Sequence, residues 1–464
     1  MISKLMTHWL LWSLLQAVLI AGEFSITEIE GAPDAVMDAA RVVTGSDDSS
    51  KVATSLASLR RAAAQGDRFA ALVVGYCEET GKGMPRAATA ARVSYQAAAE
   101  GGLPAGMRRY GRLLRLGSDR VRPDYSAARE WLSKADAAKD VEAVLELARM
   151  DYAGEGIPRP DVEKARFLMK VAAEAGSADA LVELGRGLMF GAFGEAPDLE
   201  EAKKWFERGA KDGNAAANLE LGFLYEEGRG VPVDVDRALF YYRAAAHADL
   251  PEAWYQLGVC SMNGIGSEPD ATAALEWFQK AAGKDSLPAM YQMARLYETG
   301  ASGLPKDESK SNDWYQKAAQ LGDAQSQNQL GIKFRDGRGV SKDPDNALKW
   351  FSAAAAQRYS PAMVNLGIMY EDGNGKPVKQ DYVIAARLYG EAAKQGDPVG
   401  QFMLSNLYEK GQGVGKDLVA AFVLAAESAR RNHKPAVGLS ARLKKQLTPE
   451  QLKVAEQRLG RKIP

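Results

Sequence analysis

Ten small residues recur along this chain at a nearly constant spacing, and each of them is glycine, alanine or serine. Successive members lie 36, 37, 37, 37, 36, 36, 37, 36 and 38 residues apart. They are Gly75, Gly111, Ala148, Gly185, Gly222, Gly258, Ala294, Gly331, Gly367 and Ser405. A glycine follows each of them six residues later. A fixed period of this length indicates stacked repeats that bury one another's apolar faces.

Residues 213–250 show what one repeat contains. A first helical pattern places Ala217, Leu221, Leu224 and Tyr225 on one face, and Gly222 lies among them, where a neighbouring helix could approach closely. The glycines at 228 and 230 then end this helix, since glycine adopts the left-handed C-cap conformation without steric cost. A second amphipathic pattern begins near position 236. Two helices this short are not stable alone in water, so they must pack on neighbouring repeats.

The repeat pattern is A-x-x-x-L-G-x-x-Y-x-x-G-x-G followed by A-x-x-W-[FY]-x-x-A-A, and it resembles the Sel-1-like repeat, a relative of the tetratricopeptide repeat. Clear matches are AWYQLGVCSMNGIG with ALEWFQKAA and SQNQLGIKFRDGRG with ALKWFSAAA. The resemblance covers about residues 50–433. It implies an all-α fold, a right-handed superhelical α-solenoid of about ten helix-turn-helix repeats with terminal capping helices. It also implies an adaptor or scaffold role, which is common in this family.

The composition argues against nucleic acid and membrane surfaces as partners, and against a disulfide framework. The chain has 59 basic and 60 acidic residues, and it has no basic run of the kind that binds nucleic acid or a membrane surface. Its two cysteines, Cys77 and Cys260, fall in the first and sixth repeats. We therefore expect two free, half-buried thiols and no disulfide.

Four segments are predicted along the chain. Residues 1–21 carry Lys4 and an apolar run from Trp9 to Ala21, which has the length of a signal peptide. Residues 22–50 should form an N-terminal segment with a short helix from about position 33 to 43, followed by a linker. Residues 51–433 form the solenoid, a half-repeat plus ten repeats, and residues 434–464 form capping helices, with Thr448 and Gln451 as a capping box. Export to the periplasm or the cell exterior is expected, and an inner-membrane anchor or a cytoplasmic location is the alternative.

The sequence shows no pattern that indicates catalysis or a cofactor. The histidines at 8, 247 and 433 lie in unrelated contexts, and no cluster has metal-ligand spacing. A nucleophile elbow, an S-x-x-K motif and a Walker A loop are also missing. The recurring G-x-G pairs lie between two helices in repeat after repeat, so helix C-caps explain them better than a phosphate site. We expect no cofactor, no metal and no enzymatic activity.

An aromatic or large residue recurs in the second helix of the repeats. Its members are Tyr95, Trp131, Trp205, Tyr241, Trp277, Trp314, Trp350 and Tyr389. Such a column could stack against sugars or bases, but its helical phase predicts the buried face. We therefore expect these residues to belong to the core.

A polar column occupies the first helix, two residues before the small residue. Its members are Arg109, Glu146, Glu183, Glu220, Gln256, Gln292, Gln329 and Asn365. Stacking of the repeats would align these side chains into a stripe. One interpretation is a solvated stripe or hydrogen bonds between neighbouring helices; the other is a track that binds an extended peptide. These eight residues are the predicted partner-binding site.

These observations favour a non-catalytic scaffold that presents a concave surface to a protein or peptide partner. Two alternatives remain open, a hydrolase that acts on cell-wall material and a glycan-binding module. The hydrolase would need convergent acids or a nucleophile in a pocket. The glycan module would need exposed aromatic residues.

Overall fold

The computed structural model describes residues 24–46, 48–117, 121–373, 378–460 and 462. Their regular secondary structure consists of 24 α-helices and one short 3-10 helix, Ile26–Ile29, which confirms the expected all-α fold. Internal contacts divide the chain into two units, residues 1–245 and 246–464. The predicted signal peptide lies outside the described residues.

The first unit begins with two helices that precede the repeats. They are α1 (Asp34–Gly45), close to the helix predicted from about 33 to 43, and α2 (Ser49–Ala64), the predicted half-repeat. Each following repeat contributes an A helix and then a B helix. In repeats 1–5 these are α3 (Arg68–Thr80) and α4 (Ala88–Glu100), α5 (Pro104–Leu116) and α6 (Tyr125–Ala137), α7 (Val141–Ala153) and α8 (Val162–Glu174), α9 (Ala178–Phe190) and α10 (Leu199–Lys211), and α11 (Ala215–Glu227) and α12 (Val235–His247).

The second unit contains repeats 6–10 and two terminal helices. The A and B helices are α13 (Pro251–Asn263) and α14 (Ala271–Ala282), α15 (Leu287–Thr299) and α16 (Glu308–Gln320), α17 (Ala324–Asp336) and α18 (Pro344–Ala356), α19 (Ser360–Asp372) and α20 (Tyr382–Lys394), and α21 (Pro398–Lys410) and α22 (Leu418–Arg430). The terminal helices are α23 (Lys434–Lys444) and α24 (Pro449–Leu459). The predicted capping box of Thr448 and Gln451 is present at the start of α24.

Caps at both ends of the helices explain why each repeat turns where it does. The ten glycines that follow the A helices all have positive φ, from 52° at Gly373 to 82° at Gly81, so the C-cap interpretation is confirmed. Nine of the ten B helices begin with an aspartate whose carboxylate accepts backbone N–H groups, and the exception is α4, which follows Ala87. These aspartates are Asp124, Asp161, Asp198, Asp234, Asp270, Asp307, Asp343, Asp381 and Asp417. These nine aspartates therefore have a structural role as helix N-caps.

In the seven repeats whose small residue is glycine, this residue faces a large side chain of the B helix. A Cβ added at Gly222 would lie 2.3 Å from the Tyr242 ring, and one at Gly185 would lie 2.4 Å from Phe206. The expected close approach of two helices is confirmed at these positions. Because no atom fits between them, the side chain at this position must be small.

The predicted aromatic column is wrong by one residue in most repeats. Tyr95 and Tyr389 are fully buried as expected, but Trp131, Trp205, Tyr241, Trp277, Trp314 and Trp350 are only half-buried. The following residue of the B helix is the buried one: Leu132, Phe206, Tyr242, Phe278, Tyr315 and Phe351. Two adjacent large residues satisfy the same sequence pattern, and packing against the small residue selects between them.

Two clusters of buried apolar residues lie in the described part of the first unit. One cluster runs from Ile29 to Met150, and the other runs from Val144 to Leu224. The change occurs within α7, where charged side chains are also buried. The two apolar clusters therefore meet at α7.

Ser311 is expected to reduce stability, because its hydroxyl is fully buried and has no hydrogen-bond partner among the described residues. The other repeats have alanine at this position of the B helix. Replacing Ser311 with alanine should therefore raise the free energy of unfolding by about 1 kcal/mol. The matched control is Ser405→Ala, which removes a buried hydroxyl that donates to the Ala421 carbonyl at 2.7 Å and should lower stability. Urea unfolding of both variants measures the two effects, and equal signs would contradict this explanation.

Candidate functional site on the A helices

The polar column lies on the A helices, and its two halves differ in burial. Arg109, Glu146, Glu183 and Glu220 are 2–7% exposed. Gln256, Gln292, Gln329 and Asn365 are half-buried. Charged residues are rarely this buried unless they are paired, so the first four require partners within the protein.

Arg109, the first member of the column, binds a carboxylate from the start of the described chain. Its Nε and Nη2 atoms donate to the two oxygens of Glu28 at 2.8 and 2.7 Å. Arg108 approaches the same carboxylate at 3.4 Å. Burial raises the pKa of Glu28, but the hydrogen bond and charge of Arg109 outweigh that effect and lower it. The pair is therefore ionised at neutral pH.

A chain of buried ion pairs connects repeats 2, 3 and 4. Glu146 accepts from Arg115 at 2.8 Å and from Arg149 at 2.6 Å. Arg149 also donates through Nε to Glu183 at 3.1 Å. One repeat further on, Arg186 donates to Glu220 at 2.7 Å. The acidic members of the polar column thus hold neighbouring A helices together.

This pairing follows a rule that the sequence analysis missed. The arginine that follows the small residue pairs with the glutamate 34 residues later, as Arg149 does with Glu183 and Arg186 with Glu220. From repeat 5 onward the equivalent position holds Phe223, Val259, Arg295 and Ile332, so among these four repeats only repeat 7 keeps the arginine. In the same stretch of sequence the glutamate is replaced by glutamine or asparagine. Comparing these two positions at a separation of 34 residues could have predicted the ion pairs.

Acid should selectively weaken the first unit through Glu146. Burial raises the pKa of this carboxyl, but Arg149, Arg115 and Arg112 outweigh burial and lower it to about 2. A lowered carboxyl pKa stabilises the fold above the ordinary value of 4.5, and this contribution is lost as the pH falls from 4.5 toward 2. We expect a loss of about 3 kcal/mol over this range.

Hydrogen exchange of α7 between pH 5 and pH 2, in wild type and in Glu146→Gln, measures this contribution. The variant, which has no carboxyl at this position, should show a flatter pH dependence. Equal slopes in the two proteins would contradict the assignment to Glu146.

Three of the four amide members of the polar column are not engaged in this way. The side chains of Gln256, Gln292 and Gln329 make no hydrogen bond to another described residue. Asn365 donates to Asn328 at 2.9 Å and accepts from Arg335 at 3.2 Å. We call these four residues the amide stretch. It offers neutral donors and acceptors at the surface of consecutive A helices of the second unit.

Other candidate chemistry is limited within the part of the chain that the structure describes. Cys77 and Cys260 are present as thiols, and both are fully buried, not half-buried as expected. Burial raises the pKa of the Cys77 thiol to about 12, so this thiol is unreactive at neutral pH. The described residues contain no group of three His, Cys, Asp or Glu side chains that could hold a metal ion. None of the described helices is long and apolar enough to cross a membrane.

The paired helices, their glycine C-caps and the repeated close contact between A and B helices define a helical-repeat protein. The chain belongs to the Sel1 repeat family, whose repeats typically form scaffolds for protein interactions. Ten Sel1 repeats match residues 69–103, 104–135, 141–177, 178–214, 215–250, 251–286, 287–323, 324–359, 360–397 and 398–433. The expected number of repeats is confirmed.

Two solved structures illustrate the similarity. The chain is 27% identical to a protective antigen of uropathogenic Escherichia coli that displays an SLR fold, with 97% of this chain and 93% of that chain covered and a TM-score of 0.53. It is also 27% identical to a Sel1 repeat protein from Oxalobacter formigenes, with 74% and 96% covered and a TM-score of 0.48. No curated protein matches the chain.

Proposed function

We propose that this protein is a non-catalytic scaffold that binds an extended segment of a protein partner along the amide stretch. The observation that carries the proposal is the difference between the two halves of the polar column. Glutamates of the first unit are buried in ion pairs, whereas Gln256, Gln292 and Gln329 are half-buried and lack partners among the described residues. Only the second half has hydrogen-bonding capacity to offer.

Glutamine suits the recognition of a peptide backbone, because its amide can both donate and accept a hydrogen bond. A neutral amide also costs less to desolvate than a carboxylate. Packed helices lie roughly 8–10 Å apart, which about three residues of an extended chain can span. A partner segment could therefore meet one amide about every third residue.

Site-specific photocrosslinking in native cells tests the proposal. A crosslinker at position 292 should capture a discrete protein, and the capture should be lost when Gln256 and Gln329 are replaced by alanine. A crosslinker at the exposed position Lys204 of the first unit serves as the control. Capture that is unaffected by these replacements, or equal at the control position, would contradict binding along the amide stretch.

The half-buried tryptophans of the B helices provide the observation relevant to a glycan ligand. Lysines three residues further along lie over the rings of Trp131, Trp277 and Trp314 at 4.2–4.4 Å. This coverage leaves less of each ring face for a sugar, so we favour the protein ligand. A polysaccharide pull-down that succeeds while protein crosslinking fails would favour the glycan-binding alternative, and turnover of cell-wall material would favour the hydrolase.

We further propose that the chain is exported through residues 1–21. The support is the sequence pattern of Lys4 followed by an apolar run. Intact-mass measurement of the native protein tests this proposal. A mature chain that begins near Gly22 is the expected result, and an intact Met1 would favour an inner-membrane or cytoplasmic location.

A further inference from the structure

A short segment at the start of the described chain packs against the A helices of the first two repeats. Residues 24–30, which we call the N-terminal segment, form a 3-10 turn and lie against α3 and α5. Glu28 of this segment and Arg109 of α5 are 81 residues apart and form a bidentate pair. Such two-point pairing recognises both the charge and the planar geometry of a carboxylate.

Phe24 supplies a second anchor of the N-terminal segment. Its ring lies 5.2 Å from the ring of Tyr76 in α3. The Arg109 guanidinium lies 5.7 Å from the Phe24 ring and 5.5 Å from the Tyr76 ring. Arg109 therefore contacts an aromatic ring and a carboxylate of the same segment, four residues apart in sequence.

Ile29 is the third anchor and is fully buried in the first apolar cluster. Ser25, Thr27 and Glu30 face solvent, whereas Ile26 is half-buried and packs against the same apolar cluster. Gly31, with a φ of 86°, and Pro33 separate the segment from α1. The surface thus contacts an aromatic residue, a glutamate four positions later and an apolar residue directly after the glutamate, and Ile26 adds a half-buried apolar contact between them.

We propose that this surface is a second peptide-binding site, which accepts an aromatic-x-x-x-Glu-apolar segment of a separate protein when the N-terminal segment is displaced. Charge complementarity identifies the partner's chemistry, because Arg109 holds the Glu28 carboxylate through two hydrogen bonds. Arg108, which donates to Asp140 at 3.0 Å, approaches the same carboxylate at 3.4 Å. The site uses the first member of the polar column and lies in the first unit. It is therefore independent of the amide stretch.

Fluorescence anisotropy with the full-length protein tests the site. The variant Phe24→Ala/Glu28→Gln weakens the binding of the protein's own N-terminal segment, because two of its three anchors are changed. A labelled peptide with the natural sequence of this segment, FSITEIEGA, is then added in trans. We expect saturable binding to this variant, and binding at least about ten-fold weaker to wild type, whose own segment competes at a high effective concentration. A peptide with Glu28→Gln should bind about ten-fold more weakly, because it loses the charge-assisted pair.

The matched control is the peptide with Glu30→Gln, which has the same change of charge at an exposed position and should bind like the original. Equal weakening by both substitutions would overturn the proposal, because non-specific attraction would then account for binding. Absence of binding by a folded variant would also overturn it. So would failure of the variant to unfold cooperatively, because the segment would then be a required structural cap. Concentration-dependent dimers of wild type would identify a second copy as the occupant instead of a separate partner.

Discussion

Replacing Arg149 with methionine is expected to lower the free energy of unfolding of the first unit by about 3–5 kcal/mol. Arg149 pairs with both Glu146 and Glu183, and these carboxylates are 4% and 7% exposed. Methionine preserves much of the side-chain volume, but it leaves Glu183 buried without this cation. The measurement is urea unfolding followed by hydrogen exchange of α7 and α9, which reads the first unit separately.

Arg442→Met is the matched control for this prediction. Arg442 of the terminal helix α23 pairs with Glu409 of repeat 10 at a separation of 33 residues, and the two side chains are 55% and 15% exposed. An ion pair whose cation is exposed to solvent contributes roughly 0–1 kcal/mol to stability, so this variant should be nearly neutral. Similar losses from the two variants would mean that burial does not set the strength of these contacts.

Replacing Gly222 with leucine should destabilise the fifth repeat by about 3 kcal/mol or more. Even the first atom of the new side chain would lie 2.3 Å from the Tyr242 ring. Tyr242 is fully buried, so it cannot move aside without disturbing its neighbours. Protection of α11 from hydrogen exchange reports the loss.

The same substitution at Gly438 supplies the control. Gly438 lies within α23, is exposed, and an added Cβ would meet no atom within 4 Å. Leucine has the higher helix propensity, so Gly438→Leu should be neutral or stabilising by about 0.5–1 kcal/mol. A destabilising effect there as large as at Gly222 would show that the loss is not due to steric contact with the B helix.

The polar column shows how one position of a repeat can serve two purposes. Glu146, Glu183 and Glu220 pair with arginines that the preceding helix supplies. In repeats 5, 6 and 8 Phe223, Val259 and Ile332 replace the arginine, and an amide occupies the column position of the next repeat. Repeat 7 is an exception, because Arg295 is present and the residue 34 positions later is Gln329. The first arrangement stabilises neighbouring A helices, and the second leaves the amides of Gln256, Gln292 and Gln329 without a hydrogen-bond partner among the described residues.

The sequence by itself determined the architecture. Ten small residues recur at a period of 36–38, and a glycine lies six residues after each of them. This pattern required two helices per repeat with a glycine C-cap between them. Backbone sterics and helical periodicity are local properties, so these predictions needed no knowledge of distant contacts. The N-cap of α24 at Thr448 could be predicted for the same reason.

Only the tertiary structure decided which polar side chains are buried in ion pairs within the protein. The eight residues of the polar column look alike in sequence, but burial among arginines from neighbouring repeats removes the glutamates from the candidate surface. It also chose Phe206 over Trp205 as the residue that packs on Gly185. The partner of Arg109 lies 81 residues away, outside any repeat period, so the local pattern does not contain it. Pairing and burial depend on contacts between segments, which periodicity alone does not specify.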